Sequence, residues 1–151
     1  MGGFSLSEVK VRSLRKKDLE AIVQIDYKVL GNKRPDYWRQ KIEEGIKGPV
    51  KSLVAEYEGK VVGFILGTVS GWEFGVPSSF GWIDTIGVDP EFQGRGIGKL
   101  LFESLVKEFS KQGIRKIYTL VNWNDWTLIS FFKAVGFTRG ELINLEYDVK
   151  A

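Results

Sequence analysis

The amino-acid sequence predicts a mixed α/β fold in which a central sheet is flanked by helices. Strand-like and helix-like patterns follow one another along the chain in the order β-α-α-β-β-β-α-β-α-β. A tight turn at Glu58-Gly59-Lys60 joins two strands as a hairpin, which makes them antiparallel. Later in the chain a helix connects two strands as a crossover, which makes them parallel. We therefore expect a mixed sheet of six or seven strands with four helices.

The first half of the chain is predicted to contain one strand, two helices and the hairpin. These elements span about residues 8–14, 16–30, 36–48, 52–57 and 61–69. Residues 61–67 are apolar on both faces, so this strand should be central and covered on both sides. Asp36 is expected to cap the second helix. Asp26, beside the apolar stripe of the first helix, is expected to face solvent, with a role in a pocket as the alternative. Tyr37 and Trp38 are expected to lie in the core, with the entrance to a substrate site as the alternative.

The second half is predicted to contain a loop, two helices and the remaining strands. Strands are expected over 82–88 and 115–121, with one or two more within 138–149, and a helix over about 96–112. A last helix should begin after Asn124 or Asp125, either of which can cap it. The sequence shows neither a repeat nor a linker. Residues 1–151 are therefore expected to form a single domain.

The composition excludes several kinds of chemistry. The chain has no cysteine and no histidine, which rules out disulfides, thiolate metal sites and a cysteinyl acyl-enzyme and removes the commonest general base. We expect no metal, and acid–base chemistry must use carboxylates, tyrosine, lysine, water or the backbone. The net charge of +3 suits an anionic cofactor but is too small to indicate nucleic acid. No apolar run is long enough for a membrane span and no signal peptide is visible, so we predict a cytoplasmic protein.

The most informative stretch is 82–98, with the sequence WIDTIGVDPEFQGRGIG. An alternating strand is stopped by Asp89-Pro90, and a glycine-rich turn then leads into a helix that begins near Ile97. The first amides of a helix have no internal partners, and the helix dipole is positive at that end. Glycines allow an anion to approach the bare backbone closely. The layout therefore predicts a phosphate site, with a tight turn that binds nothing as the alternative.

Two well-known phosphate-binding loops do not fit these residues. The dinucleotide fingerprint requires a third glycine where Lys99 or Leu101 stands. The nucleotide P-loop requires a glycine at Gln93 and a serine or threonine at Leu100. The spacing that does fit is Gln/Arg-x-x-Gly-x-Gly/Ala, which the letters QGRGIG at 93–98 satisfy.

This spacing resembles the acetyl-coenzyme A loop of the GCN5-related N-acetyltransferases, the GNAT superfamily. The preceding letters VDPEF and the following KLL strengthen the resemblance, because the family carries the same strand, bend and helix entry. The element order of the whole chain is also similar. Near the end, Asn124 and the letters FKAVGF from Phe132 onward resemble the family's asparagine followed by Tyr-x-x-x-Gly-Phe. The resemblance implies a GNAT-like acyl-CoA N-acyltransferase fold over essentially the entire chain.

The resemblance also implies a cofactor, acetyl-coenzyme A, and the residues that would bind it. In the family, amides of the loop hold the pyrophosphate, the pantetheine arm lies where two parallel strands splay, and residues near the last helix contact the arm. The corresponding residues here are Ile86, Gly87, Val88, Gly94, Arg95, Gly96, Ile97, Gly98, Lys99, Asn124 and Asp125. Gly87 would permit a β-bulge that opens the gap, or is a plain strand glycine. Asn124 and Asp125 contact the arm or only cap a helix.

Catalysis would be a direct transfer to an amine, without an acyl-enzyme. Asp84 is the candidate catalytic residue because a carboxylate on an otherwise apolar central strand is costly unless it is partnered or used. It could act as a base, anchor the substrate ammonium or pair with a lysine. The position of the family's frequent acid, a tyrosine, is Phe132 here. The thiolate therefore leaves without a proton, which its moderate pKa permits, or another group such as Tyr118 or Tyr27 donates one.

The resemblance leaves the acceptor open. It could be a small-molecule amine, a protein N-terminus or a lysine, and a different acyl-coenzyme A is a second enzymatic option. The missing tyrosine hydroxyl favours one further alternative, a catalytically weak module of the same fold that senses coenzyme A. We expect no nucleic-acid or membrane partner, and a homodimer is compatible with the family's frequent arrangement.

Overall fold

The computed structural model describes residues 3–150 and contains one mixed sheet. Its strands are β1 (Lys10–Ser13), β2 (Leu53–Tyr57), β3 (Lys60–Gly71), β4 (Ser79–Val88) and β5 (Ile117–Thr119), in that spatial order. The first four strands pair antiparallel, whereas β4 and β5 pair in parallel. The helices are α1 (Leu19–Leu30), α2 (Pro35–Lys47), α3 (Ile97–Lys111) and α4 (Trp126–Ala134). The predicted mixed fold with four helices is confirmed.

The sheet has five strands, so the prediction of six or seven is wrong. The missing strands are those expected within 138–149, where the structure has no regular element. This segment does alternate apolar residues, but Ile143, Leu145 and Tyr147 are all more than three-quarters exposed. Alternation only marks a face that suits a sheet, and a strand forms only where a neighbouring strand accepts its hydrogen bonds.

α1 and α2 pack on one face of the sheet. Buried side chains from both helices, from β2 and β3 and from the residue after β1 form this core: Leu14, Ile22, Val23, Ile25, Trp38, Ile42, Val54, Val61, Phe64 and Leu66. Trp38 is almost fully buried, which confirms its core position, whereas Tyr37 is 41% exposed. α2 begins one residue before Asp36, which pairs with Arg39 instead of capping the helix.

The prediction that Asp26 faces solvent is also wrong. Its side chain is only 8% exposed and accepts two hydrogen bonds of 2.9 Å from Arg34, in the connection between α1 and α2. Burial raises the pKa of Asp26, but the hydrogen bonds from Arg34, the neighbouring indole N–H of Trp38 and the positive charge of Arg34 together leave the pKa below its usual value. The bidentate ion pair between Arg34 and Asp26 thus fixes the connection between the helices.

α3 covers the opposite face and lies unusually close to the strands beneath it. Its buried row consists of Ile97, Leu101, Leu105 and Phe109. A Cβ added to Gly81 of β4 would lie 2.6 Å from the Phe109 ring, and one added to Gly67 of β3 would lie 3.0 Å from it. The glycines therefore make room for the helix, which fixes the position of the helix entrance relative to β4.

Two compact units make up the chain, one reaching Leu120 and one beginning at Val121. The first contains the whole sheet with α1, α2 and α3, and the second contains α4 and the segment that follows it. The single domain expected from the sequence stays a prediction. In the part of the chain that the structure describes, no helix is long and apolar enough to cross a bilayer.

Candidate functional site

The exposed edge of β4 begins where its pairing with β5 ends. β5 pairs with β4 only over Gly81–Ile83, and the last contact is a 3.0 Å hydrogen bond from Thr119 Oγ1 to the carbonyl oxygen of Ile83. On its other side, β4 stays paired with β3 as far as Val88. Within the first unit, residues 84–88 therefore have one edge free of strand partners. This free edge contains the predicted cofactor residues Ile86, Gly87 and Val88.

A β-bulge lies at Asp84. Leu66 of β3 pairs with Thr85, while the next residue of β3, Gly67, pairs with Ile83, so Asp84 is the extra residue on β4. The bulge predicted at Gly87 is therefore misplaced by three residues. Since a bulge increases the local twist of its strand, its position at the end of the parallel pairing helps to separate β4 from β5.

Gly87 has a different role, which is to accommodate an aromatic ring. It pairs regularly with Phe64, and a Cβ at this position would lie 2.5 Å from Phe64 Cζ. Phe64 cannot easily move aside, because it is 3% exposed and packs edge-to-face on Trp38 at 5.1 Å between ring centroids. The glycine thus lets the core approach the free edge of β4.

The entrance to α3 presents a row of unpaired amides. Gly94 and Gly96 adopt the left-handed conformation, with φ of 75° and 88°, and Gly96 occupies the N-cap position. Among the described residues, no backbone acceptor serves the amides of residues 96–99, and the first amide bonded into the helix is that of Leu100, to the Gly96 carbonyl oxygen at 3.0 Å. Unpaired amides at the positive end of a 15-residue helix fit a diphosphate. The predicted loop residues from Gly94 to Lys99 are thus brought together in one place.

Side chains on either side hold this entrance in position. Gln93 donates a 3.1 Å hydrogen bond to the carbonyl oxygen of Val88, which joins the loop to the end of β4. Asp89 is 1% exposed and accepts hydrogen bonds from Lys28 Nζ at 2.9 Å and from the Glu91 amide at 3.0 Å. Burial raises the pKa of Asp89, but these hydrogen bonds and the positive charges of Lys28 and Lys60 together leave the pKa below its usual value. α1 is therefore tied directly to the bend before the loop.

The two cations of the loop are placed differently. The Arg95 guanidinium lies over the rings of Phe4 and Phe92, 5.1 and 5.5 Å from their centroids. Such stacking holds the planar guanidinium while leaving its edge free to donate hydrogen bonds. Lys99 is 66% exposed and 3.9 Å from Glu103, one turn further along α3. Arg95 is thus held beside the unpaired amides, whereas Lys99 is mostly exposed and has only a long ion pair with Glu103.

Asp84 forms an ion pair with Lys41 of α2, with 2.7 Å between Lys41 Nζ and Asp84 Oδ2. The hydrogen bond from Lys41 to Asp84 raises the pKa of Lys41 above its usual value, against the opposing effect of burial. Asp84 also lines a surface cavity of about 190 Å³, together with Thr68, Trp82, Ile83 and Leu120. The carboxylate is therefore both accessible from a cavity and already paired with a cation.

The remaining predicted residues lie in the second unit. Asp125 caps α4 and accepts a 3.1 Å hydrogen bond from the Leu128 amide, and Asn124 directly precedes it in the turn. Phe132 packs against the rings of Phe131 and Phe137, with centroids 5.3 and 4.9 Å away. Asp125 is thus the residue that caps α4. Contact of Asn124 and Asp125 with a cofactor stays a prediction.

Sequence reasoning missed the residues that hold the site together across the fold. Lys28 and Lys41 lie 61 and 43 positions before the carboxylates they bind. Pairing of Asp84 with some lysine was one of the alternatives, but nothing local in the sequence identifies Lys41. Of the alternative acids, Tyr118 packs among the rings of Phe80 and Trp82, whereas Tyr27 is 43% exposed.

Comparison with known families identifies the class of protein. The model of the Acetyltransferase (GNAT) family matches residues 17–137, which include the sheet from β2 onward, the glycine loop and all four helices. The chain therefore belongs to the GNAT family of acetyltransferases, whose cofactor is acetyl-coenzyme A.

Solved structures with the same fold are similar over nearly their full length. Aminoglycoside N-acetyltransferase AAC(6')-Iy in complex with CoA matches with a TM-score of 0.79 and 20% identity, over 93% of this chain and 94% of its own. A transcriptional regulator from Bacillus halodurans C-125 has a TM-score of 0.78 and 20% identity, with 93% and 99% covered. An aminoglycoside acetyltransferase from an uncultured soil metagenomic sample, in complex with sisomicin, has a TM-score of 0.71 and 17% identity, over 95% of this chain and 98% of its own. At these identities the likeness is one of fold.

Proposed function

We propose that this protein is an N-acetyltransferase that moves an acetyl group from acetyl-coenzyme A to a primary amine by direct transfer through a tetrahedral intermediate. The observation that carries the proposal is the row of unpaired amides at residues 96–99, which follows a strand whose edge is free. The amides and Arg95 hold the diphosphate, and the free edge at residues 86–88 lies next to them and binds the peptide-like pantetheine arm.

The chemistry needs an oxyanion donor and a place for the ammonium proton. A backbone amide on the free edge of β4 can donate to the developing oxyanion, which typically contributes about 3 to 4 kcal/mol to the barrier reduction. Asp84 lies at the bulge, two residues before this part of the edge, and opens on the cavity. It anchors the incoming ammonium and accepts its proton directly or through water. The deprotonated amine nitrogen bonds to the carbonyl carbon while the carbonyl π electrons move to oxygen, which gives the tetrahedral oxyanion. When the oxyanion re-forms the carbonyl, the carbon–sulfur bond breaks, coenzyme A leaves as a thiolate and the nitrogen gives its extra proton to water.

The acceptor is a cation before it reacts, which suits the exposed carboxylate of Asp84. Two of the solved structures with the same fold are aminoglycoside acetyltransferases, and polyamines of that kind are reasonable acceptors to test first. Residues of α1, α2 and the loop at 72–78 are the expected sources of acceptor specificity. In that loop Trp72 and Phe74 are 76% and 67% exposed, in positive-φ conformations that are unfavourable for such side chains.

The proposal is tested by scoring release of free coenzyme A with aminoglycosides, small alkylamines and peptides. Gly96→Glu tests the loop itself. A carboxylate at the helix entrance repels a diphosphate, and an L-residue at φ 88° is strained. We expect the wild-type protein to bind acetyl-coenzyme A and to release coenzyme A with at least one amine. We expect the variant to lose calorimetric binding while keeping its far-ultraviolet circular dichroism. Unchanged affinity in the variant would refute the assignment of the loop.

Phe132 supports a second candidate, a coenzyme A sensor with weak or no catalysis. Its ring packs within an aromatic group and has no hydroxyl to protonate the leaving thiolate. Such a protein would bind acetyl-coenzyme A with the same dependence on Gly96 but would release no coenzyme A with any amine. The amine panel therefore separates the two functions.

A further inference from the structure

The carboxylate proposed to receive the substrate ammonium already binds an ammonium of the protein itself. Lys41 Nζ lies 2.7 Å from Asp84 Oδ2, and the carboxylate of Glu44, three residues further along α2, is 4.0 Å from the same nitrogen. The Tyr37 ring is 6.0 Å from Lys41 Nζ. Lys41 is therefore surrounded by groups that favour its charged form, and the closest of them is Asp84.

The pair is neither locked in the core nor fully solvated. The side chains of Lys41 and Asp84 are 25% and 32% exposed, so water reaches both groups. A lysine has a long, flexible stem, and its point charge exchanges partners more readily than the rigid fork of an arginine. Asp84 also lines the cavity next to the free edge of β4, whereas Lys41 does not line it. An amine that enters the cavity can therefore approach Asp84 without first passing Lys41.

We propose that Lys41 is a specificity-determining residue that occupies Asp84 in the free enzyme, so that an acceptor amine must displace it. This inference rests on the proposed function, because it assigns the acceptor ammonium to Asp84. Only the fraction of molecules with Asp84 released binds the acceptor, and the apparent affinity falls in proportion to that fraction. Acceptors with a strong positive charge compete well with Lys41, and weakly basic or neutral amines do not.

The test compares Lys41→Met with Lys47→Met. Methionine keeps most of the stem of Lys41 and removes its charge. Lys47 is exposed in the last turn of the same helix, and the described residues offer it no ion pair, so its variant removes one positive charge without touching Asp84. Each protein is assayed for KM and kcat with sisomicin and with butylamine, and for calorimetric binding of the same amines in the presence of saturating coenzyme A. Melting temperatures establish that the variants are folded.

We expect Lys41→Met to lower KM and Kd for the amines about 5-fold, which is about 1 kcal/mol at tenfold per 1.4 kcal/mol. We expect kcat to change by less than about 2-fold and affinity for acetyl-coenzyme A to stay the same. Damage to the fold would weaken amine binding, so a gain in affinity is specific to the displacement of Lys41. Lys47→Met should match the wild-type protein. Asp84→Asn should abolish the gain when it is combined with Lys41→Met.

Two results would overturn the inference: amine affinity that is unchanged or weaker in Lys41→Met, or an equal gain in Lys47→Met, which would indicate a general charge effect.

The calorimetric measurement of amine binding tests the role of Lys41 even if the protein shows no turnover. If no amine leads to coenzyme A release but Lys41→Met still tightens amine binding through Asp84, the transferase function fails and the role of Lys41 stands. If coenzyme A is released and the affinities do not respond, the function stands and the role of Lys41 fails.

Discussion

Substitution of Gly87 by alanine tests how closely the core approaches the free edge of β4. The added Cβ would lie 2.5 and 2.8 Å from two atoms of the Phe64 ring, about 1 Å inside normal carbon–carbon contact. The Phe64 ring is held by Trp38, so the overlap must be relieved by strain or by a backbone shift. Overpacking of this kind costs about 1–3 kcal/mol. We expect Gly87→Ala to lower the free energy of unfolding by about 2 kcal/mol and the melting temperature by about 4–8 °C.

Urea denaturation followed by tryptophan fluorescence measures this effect, with the free energy taken from linear extrapolation. Gly48→Ala is the matched control, because its Cβ would meet its nearest neighbour at an ordinary 3.5 Å and its φ of −66° suits alanine. That variant should be neutral or stabilised by up to about 1 kcal/mol.

A second substitution shows whether the Phe64 ring is the cause. Phe64→Leu removes the ring atoms that Gly87→Ala would meet, so the double variant should be about 1–2 kcal/mol more stable than the sum of the single effects predicts. Strict additivity, or a Gly87→Ala protein as stable as the wild type, would refute the close contact between the ring and the strand.

Two other predictions concern acid stability and the missing hydroxyl. Asp26, like Asp18 and Asp89, has a pKa below its usual value in the folded protein, mainly because a cationic side chain outweighs the effect of burial. Their contribution to stability is therefore present above the unfolded-state pKa of about 3.9 and is lost as pH falls through the lower folded-state values. Unfolding free energies from pH 7 to pH 2 should show this loss, and Asp26→Asn should make it shallower; an identical slope would contradict the assignment. Phe132→Tyr should raise kcat about tenfold if proton donation to the thiolate limits turnover. An unchanged kcat, measured by coenzyme A release, would show that the thiolate leaves without a proton.

Local patterns in the sequence were sufficient for most elements of the fold. The apolar row of α3 and the turn at Gly59 depend on residues close together in the chain, and both elements form where they are predicted. The glycine loop is equally local, since its unpaired amides follow from a helix that begins just after Gly96. The strands expected within 138–149 failed because strand formation depends on a distant partner rather than on alternation alone.

The site was less predictable, because its geometry depends on contacts between distant segments. The sequence placed the bulge at a glycine, whereas the register of β3 against β4 places it at Asp84. Gly87 is needed for the Phe64 ring, 23 positions earlier, and a sequence pattern does not show which ring packs on which strand. The partners of Asp26, Asp84 and Asp89 are likewise fixed by helix packing, so charge placement was the part of the site that sequence reasoning could not supply.

The short pairing of β4 with β5 has a consequence for the energetics of recognition. In the protein on its own the pairing of β4 with β5 already ends at Ile83, whose carbonyl oxygen accepts the hydrogen bond from the Thr119 side chain. A thioester ligand therefore need not break main-chain hydrogen bonds to enter. The conformational entropy lost on binding is then mainly that of the ligand's own flexible arm. Amide hydrogen exchange should accordingly slow along residues 84–88 on binding and change little at residues 81–83.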